Sequence, residues 1–346
     1  MRASRLMSIA ASAALLVALV GCAQSSDSGG AAAPSSSTSA DADAFPVTIK
    51  HAYGSTTIEK KPERVATVAW TNGEVPLALG VVPVGMAAAN YGDPDGDGLL
   101  PWEKEKLDDL GAKTPVLFDE TDSIDFEAVA NTKPDVILAA YSGLSKSDYE
   151  TLSKIAPTIA YPKTAWGTTL DEMIEMNSEA IGLKSEGEQL ISQIHDDIDG
   201  AAADNPDLKG KSAMFAYFDQ SDLSQIGFYT TKDSRAGFLA ELGMETPKVV
   251  SDASAKTTQF YTSISAEEAD SLDDVDVIVT YGDAALLKKL QADPIIGKIP
   301  AVARGSVVLL KDNTPLAAEA NPTPLSVGWG LDQYVDLIAA AAGKVG

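Results

Sequence analysis

The sequence predicts an α/β protein of two lobes, each with a mostly parallel central sheet flanked by helices, joined by a single long helix. Short buried strands alternate with helical segments along most of the chain, a rhythm that is typical of parallel sheets. One helical stretch near the middle, residues 170–203, is longer than the others and divides this alternation into two halves. With 346 residues, 45% of them hydrophobic, the chain is large enough for two cores.

The N-terminus has the pattern of a secreted lipoprotein. Arg2 and Arg5 precede an apolar run over residues 9–20, and a small residue and Cys22 follow it. The run is shorter than the ~20 residues that cross a bilayer, and its flanks are typical of a secretory signal. Cys22 is the only cysteine, and the segment resembles a bacterial lipobox. We therefore predict a signal peptide over residues 1–21 and lipidation of Cys22; an ordinary signal peptide that contains cysteine is the alternative.

Composition divides the rest of the chain. Residues 22–44 are small and polar, so we predict a flexible tether there. The predicted N-terminal lobe covers residues 45–183, the linking helix residues 184–206 and the C-terminal lobe residues 207–346. The net charge of −24 argues against nucleic acid and other polyanionic partners.

In the first half, runs of Val, Ile and Ala predict strands, and apolar periodicity predicts the helices between them. The predicted strands are residues 45–51, 64–70, 81–86, 136–140 and 157–161, and the predicted helices are residues 74–79, 124–131 and 147–155.

In the second half the same alternation restarts after the long helical region, which is interrupted near Gly182. The predicted strands are residues 212–217, 275–281 and 306–310, and the predicted helices are residues 235–242 and 331–342.

The two halves repeat one pattern. Residues 124–141 and residues 264–281 each contain a capping residue, an acidic helix start and a hydrophobic strand that follows an aspartate. Asp125 and Ser265 are residue types that cap helices, and acidic side chains in a first turn suit the helix dipole. Capping alone could therefore account for the acidic residues of both copies.

Several motifs in order resemble the substrate-binding lipoproteins of ferric-siderophore ABC importers, a group that includes cobalamin and haem binders. The motifs are KPERVA at 61–66, LALGVVPVG at 77–85, FE at 126–127, KPDVI at 133–137, IAPT at 155–158, FLAELGM at 238–244, SAE at 265–267, IPAV at 299–302 and GSV at 305–307. The resemblance implies two α/β lobes bridged by a rigid helix, with the ligand held between them.

The resemblance also implies partners and location. In this family one glutamate on each lobe docks to the membrane permease, and the matching positions are Glu127 and Glu267, with Glu268 as the alternative in the second lobe. We expect a monomeric binding protein, not an enzyme, on the extracytoplasmic face of the cell membrane. It would have no cofactor except lipid at Cys22 and would bind a ferric siderophore and an ABC permease.

Ligand contacts are expected on loops that follow strand ends and face the gap between the lobes. Aromatic residues and one arginine occupy such places. The predicted ligand-binding residues are Trp70, Tyr91, Trp102, Tyr141, Trp166, Arg235, Tyr261, Tyr281 and Trp329. Tyr229 and Phe260 occupy similar positions in the second lobe.

The scarcity of basic residues in these loops favours a ferric tris-hydroxamate over an anionic chelate. Iron would arrive already chelated, so no protein metal ligand is predicted. The loop at 93–98 resembles a calcium loop, but Lys104 stands where such a loop needs a glutamate. Haem or cobalamin binding is the alternative, with Tyr141 or Tyr281 as an axial ligand of haem. An exported serine hydrolase is disfavoured because its nucleophile turn is missing.

Overall fold

The computed structural model of the protein describes residues 45–346. The predicted signal peptide, Cys22 and the predicted tether lie outside the described residues. None of the helices in the described part of the chain is long and apolar enough to cross a membrane.

The first lobe is built on a five-stranded parallel sheet in the order β5-β4-β3-β6-β7. Its strands are β3 (Val65–Thr67), β4 (Gly85–Ala87), β5 (Val116–Phe118), β6 (Val136–Leu138) and β7 (Thr158–Ile159), preceded by an antiparallel hairpin of β1 (Val47–His51) and β2 (Gly54–Ile58). Its helices are α1 (Glu74–Ala78), α2 (Pro101–Asp109), α3 (Phe126–Asn131), α4 (Lys146–Leu152) and α5 (Leu170–Ala180). Strands β3 and β6 are buried throughout, as expected for a sheet covered on both faces.

The second lobe repeats this strand order as β10-β9-β8-β11-β12. Strands β8, β11 and β12 are parallel, and β9 runs antiparallel to both of its neighbours. The strands are β8 (Ala213–Tyr217), β9 (Gln225–Tyr229), β10 (Tyr261–Ser265), β11 (Val277–Tyr281) and β12 (Val307–Leu310). The helices are α7 (Ser234–Glu241), α8 (Lys248–Ser254), α9 (Ala284–Ala292), α10 (Pro300–Arg304), α11 (Pro315–Glu319) and α12 (Ser326–Ala342), with short 3-10 segments at Pro206–Leu208, Ala266–Leu272 and Ile296–Lys298.

Helix α6 (Lys184–Asp204) connects the two sheets along the chain. Gly182, with a φ of 71°, separates it from α5. Ile194 and Ile198 of α6 belong to one apolar core that also contains Ile174 of α5 and Ile338 of α12. Because this core extends along the helix, α6 is packed against both neighbours and is not an exposed linker. The α/β fold with two sheets and flanking helices that the sequence predicts is confirmed.

Candidate ligand-binding cleft

The loop that follows the carboxyl end of β3 lies between the two sheets and has a constrained backbone. Trp70 lies there between Ala69 and Thr71, whose φ angles are 63° and 61°. Such left-handed backbone is costly without glycine and persists only where the surroundings enforce it. Asn72 provides that support, because its Nδ2 donates to the carbonyl of Tyr141 (2.8 Å) and its Oδ1 accepts the N–H of Tyr141 (3.0 Å). The ends of β3 and β6 are therefore tied together, which positions Trp70 and Tyr141.

A cavity of about 460 Å³ lies between the lobes, within the size range of small-molecule sites. It is lined by Trp70, Asn90, Tyr91, Tyr141, Trp166, Tyr217, Tyr229, Arg235, Phe260, Tyr281, Asp312, Ala317, Ala318 and Asn321. A second cavity of about 550 Å³ adjoins it on the first lobe, with Trp70, Asn90 and Trp166 lining both. We call these the aromatic cavity and the acidic cavity.

The aromatic cavity brings together six of the nine predicted ligand residues, and also Tyr229 and Phe260. The six are Trp70, Tyr91, Tyr141, Trp166, Arg235 and Tyr281. Their rings contact one another edge-on. Tyr91 lies 6.5 Å from Trp70 and 6.2 Å from Tyr281 between ring centroids. Since these residues come from both lobes, the cavity exists only where the two lobes meet.

Trp102 and Trp329 are placed elsewhere. Trp102 is only 3% exposed, and its Nε1 donates to Glu74 Oε1 at 2.8 Å. Its ring lies 5.2 Å from that of Trp329. The two indoles line neither cavity, but they belong to the same apolar cluster as Trp70 and Tyr91. The internal acceptor for its N–H explains why Trp102 is a buried structural residue here.

Tyr261 also lies outside the cavity. Its ring packs edge-on to Tyr229, 5.5 Å between centroids, and covers Gly227 of the neighbouring strand. A Cβ on Gly227 would stand 1.8 Å from the hydroxyl of Tyr261. The side chain therefore fills the space that glycine leaves in β9, a known way to stabilise a glycine within a sheet.

Six lining residues were not among the predictions: Asn90, Tyr217, Asp312, Ala317, Ala318 and Asn321. A usable signal existed for two of them. Tyr217 ends a predicted strand, and Asp312 comes directly after another, which is where ligand contacts of α/β sheets are expected.

Among residues 45–346, Arg235 is the one basic side chain that lines either cavity. Its Nε and Nη2 donate to the two oxygens of Asp233 at 2.7 and 2.8 Å, and its Nη1 donates to the hydroxyl of Tyr281 at 3.3 Å. The guanidinium also lies 3.8 Å from the ring centre of Tyr229. Burial opposes its charge, but the ion pair with Asp233 outweighs burial and the pKa of Arg235 lies well above its usual value. Two of its five N–H groups have no partner within residues 45–346, so they are available to a ligand.

The tyrosines of the cavity are hydrogen-bonding phenols. Burial raises the pKa of Tyr141 and that of Tyr281, so both stay protonated at neutral pH. The hydroxyl of Tyr141 accepts a hydrogen bond from Asn321 Nδ2 at 3.1 Å, which leaves its own proton for another acceptor. The cavity therefore offers several neutral donors and one cation to the oxygen atoms of a ligand.

The predicted docking glutamates lie at equivalent helix positions. Asp125 caps α3 and Ser265 caps the 3-10 segment Ala266–Leu272, and Glu127 and Glu267 each stand two residues after the cap. Both glutamates are exposed. The backbone is kinked at Glu268. Counted from the cap, Glu127 corresponds to Glu267, and counted back from the start of the next strand it corresponds to Glu268. The docking role and the choice between Glu267 and Glu268 stay predictions.

Within residues 45–346, no group of three or more His, Cys, Asp or Glu side chains could hold a metal ion. The loop that resembles a calcium site is closed internally. Lys104 Nζ pairs with Asp95 at 3.0 Å and Asp97 at 2.6 Å, so an ammonium occupies the position between these acids.

Two lobes of the same strand order, bridged by a long helix and sharing an aromatic cavity, define the class of two-lobed binding proteins. The chain belongs to the periplasmic binding protein family, which matches residues 65–314. The family-level resemblance seen in the sequence is thereby confirmed.

Named relatives support this assignment. The structure of PiaA from Streptococcus pneumoniae TIGR4 in complex with ferrichrome is 45% identical, with a TM-score of 0.83 over 87% of this chain and 100% of that one. The Fe(3+) dicitrate-binding periplasmic protein FecB of Escherichia coli is 25% identical over 78% of this chain and 84% of its own. A Bacillus subtilis protein named "Probable siderophore-binding lipoprotein YfiY" is 29% identical over 68% and 67%.

Proposed function

We propose that this protein is the extracytoplasmic binding component of an ABC importer and captures a ferric siderophore between its lobes. The observation that carries the proposal is the aromatic cavity of about 460 Å³, in which tryptophan and tyrosine rings surround one guanidinium. Aromatic rings with polar edges suit a bulky chelate whose surface mixes methylene groups with oxygen atoms. The ferrichrome complex of PiaA and the name of FecB point to the same kind of cargo.

The charge of the cleft favours a neutral hydroxamate chelate. In the described part of the chain, Arg235 is the one basic residue on the lining of the two cavities, and Asp233 already accepts two of its N–H groups. An anionic citrate or catecholate chelate would need further cations to offset its desolvation. One partly compensated guanidinium and several neutral phenols instead suit the oxygens of a neutral tris-hydroxamate.

Haem is a weaker fit. An axial tyrosine serves haem iron as a phenolate, and burial raises the pKa of both Tyr141 and Tyr281. Their phenolate forms are therefore disfavoured at neutral pH, which supports the chelate over the haem alternative.

The rest of the proposal concerns the route of the cargo. The protein would act as a lipid-anchored monomer held at the cell membrane through Cys22, and would release its cargo without chemical change to a permease docked at Glu127 and Glu267. YfiY, a relative named as a lipoprotein, supports the anchor. Cys22→Ala should release the protein into the medium, and continued membrane attachment would refute lipidation.

Tryptophan fluorescence tests the cargo. A neutral ferric tris-hydroxamate should quench emission saturably. Trp70→Phe, at the cavity, should remove a large part of that quench, whereas Trp329→Phe, at a residue that lines neither cavity, should remove a smaller part. Equal effects of the two substitutions would contradict the cavity as the binding site. The absence of any response to hydroxamate, catecholate and citrate chelates would refute siderophore binding.

A further inference from the structure

The acidic cavity has a composition unlike that of the aromatic cavity beside it. Its ionisable lining residues are all carboxylic acids, namely Glu103, Glu120, Asp122 and Asp148. None of the ion pairs within residues 45–346 involves Glu103 or Glu120. Because Trp70, Asn90 and Trp166 line both cavities, a ligand seated against Arg235 could extend into this acidic space.

Glu103 is a buried carboxyl group with a hydrogen bond to only one of its two oxygens within residues 45–346. It is 3% exposed and lines the cavity. Its Oε2 accepts the N–H of Leu100 at 2.8 Å, which is the only hydrogen bond to this carboxylate within residues 45–346. Glu74 is close enough to repel its charge, and both oxygens of Glu74 are already occupied, by Trp102 Nε1 (2.8 Å) and the N–H of Leu325 (3.1 Å). The unused acceptor at the cavity is therefore Oε1 of Glu103.

Glu120 is a second carboxyl group on the lining of the same cavity. Its Oε2 accepts the N–H of Ala69 at 2.8 Å, and its buried Oε1 has no partner within the described residues. Ala69 is one of the two left-handed residues around Trp70, so the strained loop holds this carboxyl in place. Burial raises the pKa of Glu120 to about 7, and burial and Glu74 raise that of Glu103 well above its usual range.

Buried carboxylates without a cation are costly unless a partner compensates them. A primary ammonium has three donors and one positive charge, so it would satisfy these oxygens and favour the ionised form of the two carboxyl groups at once. A neutral amide offers fewer donors and no charge.

We propose that the acidic cavity binds a protonated primary amine that the chelate carries outside its iron-binding groups. The cargo class is then a ferric tris-hydroxamate with a pendant ammonium, whose chelated end lies against Arg235 and whose amine reaches Glu103 and Glu120. This inference rests on the proposed function.

A pair of chelates that differ only at the amine tests the inference. The probes are a linear ferric tris-hydroxamate with a free primary amine and the same chelate with that amine acetylated, titrated into the full-length protein at pH 7. We expect the free amine to bind about tenfold more tightly, the effect of one charge-assisted hydrogen bond.

Variants locate the effect. Glu120→Gln and Glu103→Gln should each reduce the preference to about twofold or less and leave the affinity for the acetylated chelate nearly unchanged. Glu188→Gln, an exposed residue of α6, removes the same charge far from the cavity and should retain the full preference. Equal binding of the two chelates to the wild-type protein would overturn the inference and leave the proposed function standing. Failure of both chelates to bind would overturn this inference and the hydroxamate assignment on which it rests.

Discussion

The hydroxyl of Tyr91 donates a hydrogen bond of 2.8 Å to Asp312 Oδ1, and this bond joins the two lobes at the rim of the aromatic cavity. The adjacent residue reinforces it, because the N–H of Gly92 donates to Asn313 Oδ1 at 2.7 Å. Tyr91 belongs to the loop after β4, whereas Asp312 and Asn313 follow β12. The strand ends of both lobes are thus connected directly beside the place where a ligand would enter.

Removal of the hydrogen bond between Tyr91 and Asp312 should make the chelate dissociate faster. Tyr91→Phe keeps the ring but loses a hydrogen bond worth about 1 kcal/mol, so we expect chelate dissociation to become roughly fivefold faster. Stopped-flow fluorescence measures the rate. Tyr261→Phe is the matched control, since this tyrosine lines neither cavity and its hydroxyl makes no hydrogen bond within residues 45–346. Equal rates for the two variants would show that the Tyr91–Asp312 bond does not restrain the lobes.

The ion pair of Arg235 and Asp233 should stabilise the fold as well as the site. Asp233 is 1% exposed, so Arg235→Gln leaves a buried carboxylate without its cation and should lower the free energy of unfolding by about 3 kcal/mol. Asp233→Asn combined with Arg235→Gln removes the orphaned charge and should recover much of this loss. Chelate affinity should stay weak in both, because the guanidinium is missing.

Urea unfolding and chelate titration on the same samples separate the two roles of Arg235. Lys146→Gln is the control, because its pair with Glu150 is longer, at 3.7 Å, and exposed. A double variant that is no more stable than Arg235→Gln alone would contradict the role of the pair in the fold.

Glu319 should make stability fall as the pH rises. Burial raises its pKa from 4.5 to about 8, and its Oε2 has no hydrogen-bond partner within the described residues. The folded state therefore holds a proton that the unfolded state releases, so the stabilisation is present below about pH 4.5 and is lost progressively up to about pH 8. Glu319→Gln should flatten this decline and raise the melting temperature at pH 8. Parallel melting curves for variant and wild type from pH 5 to pH 9 would refute the assignment.

The elements that could be predicted from the sequence are those whose own residues determine them. Strands β6 and β11 each begin with Val and Ile directly after an aspartate, and the break between α5 and α6 falls at Gly182, as predicted. Strand β9 was missed because Gly227 interrupts its pattern, and only the ring of Tyr261 from another strand makes that glycine acceptable. The low strand propensity of Gly227 was therefore overridden by its contact with Tyr261, a residue distant in sequence.

The site shows the same division. Trp70 and Tyr141 could be placed because they follow predicted strands, and parallel strands end at one edge of a sheet. The location of Trp102 depended on Glu74, an acceptor 28 residues away in the sequence. The residues around Trp102 in the sequence do not predict this hydrogen bond. The acidic cavity was missed for a related reason, since Glu103 and Glu120 belong to different elements and only the fold brings them to the lining of one cavity.

The paired positions of Glu127 and Glu267 make a prediction about transport. Each is exposed and lies two residues after a helix cap, one on each lobe, so two acidic points of equivalent local geometry are available to arginines of a permease. Two separated ion pairs fix orientation and speed association, although each is weak alone.

Glu127→Ala combined with Glu267→Ala should abolish uptake of iron-labelled chelate by cells and leave the dissociation constant of the purified protein unchanged. Glu127→Ala combined with Glu268→Ala is the matched control and should retain more uptake, because Glu267, not Glu268, matches Glu127 in its distance from the cap. If the control pair abolishes uptake and the Glu267 pair does not, Glu268 is the docking residue of the second lobe.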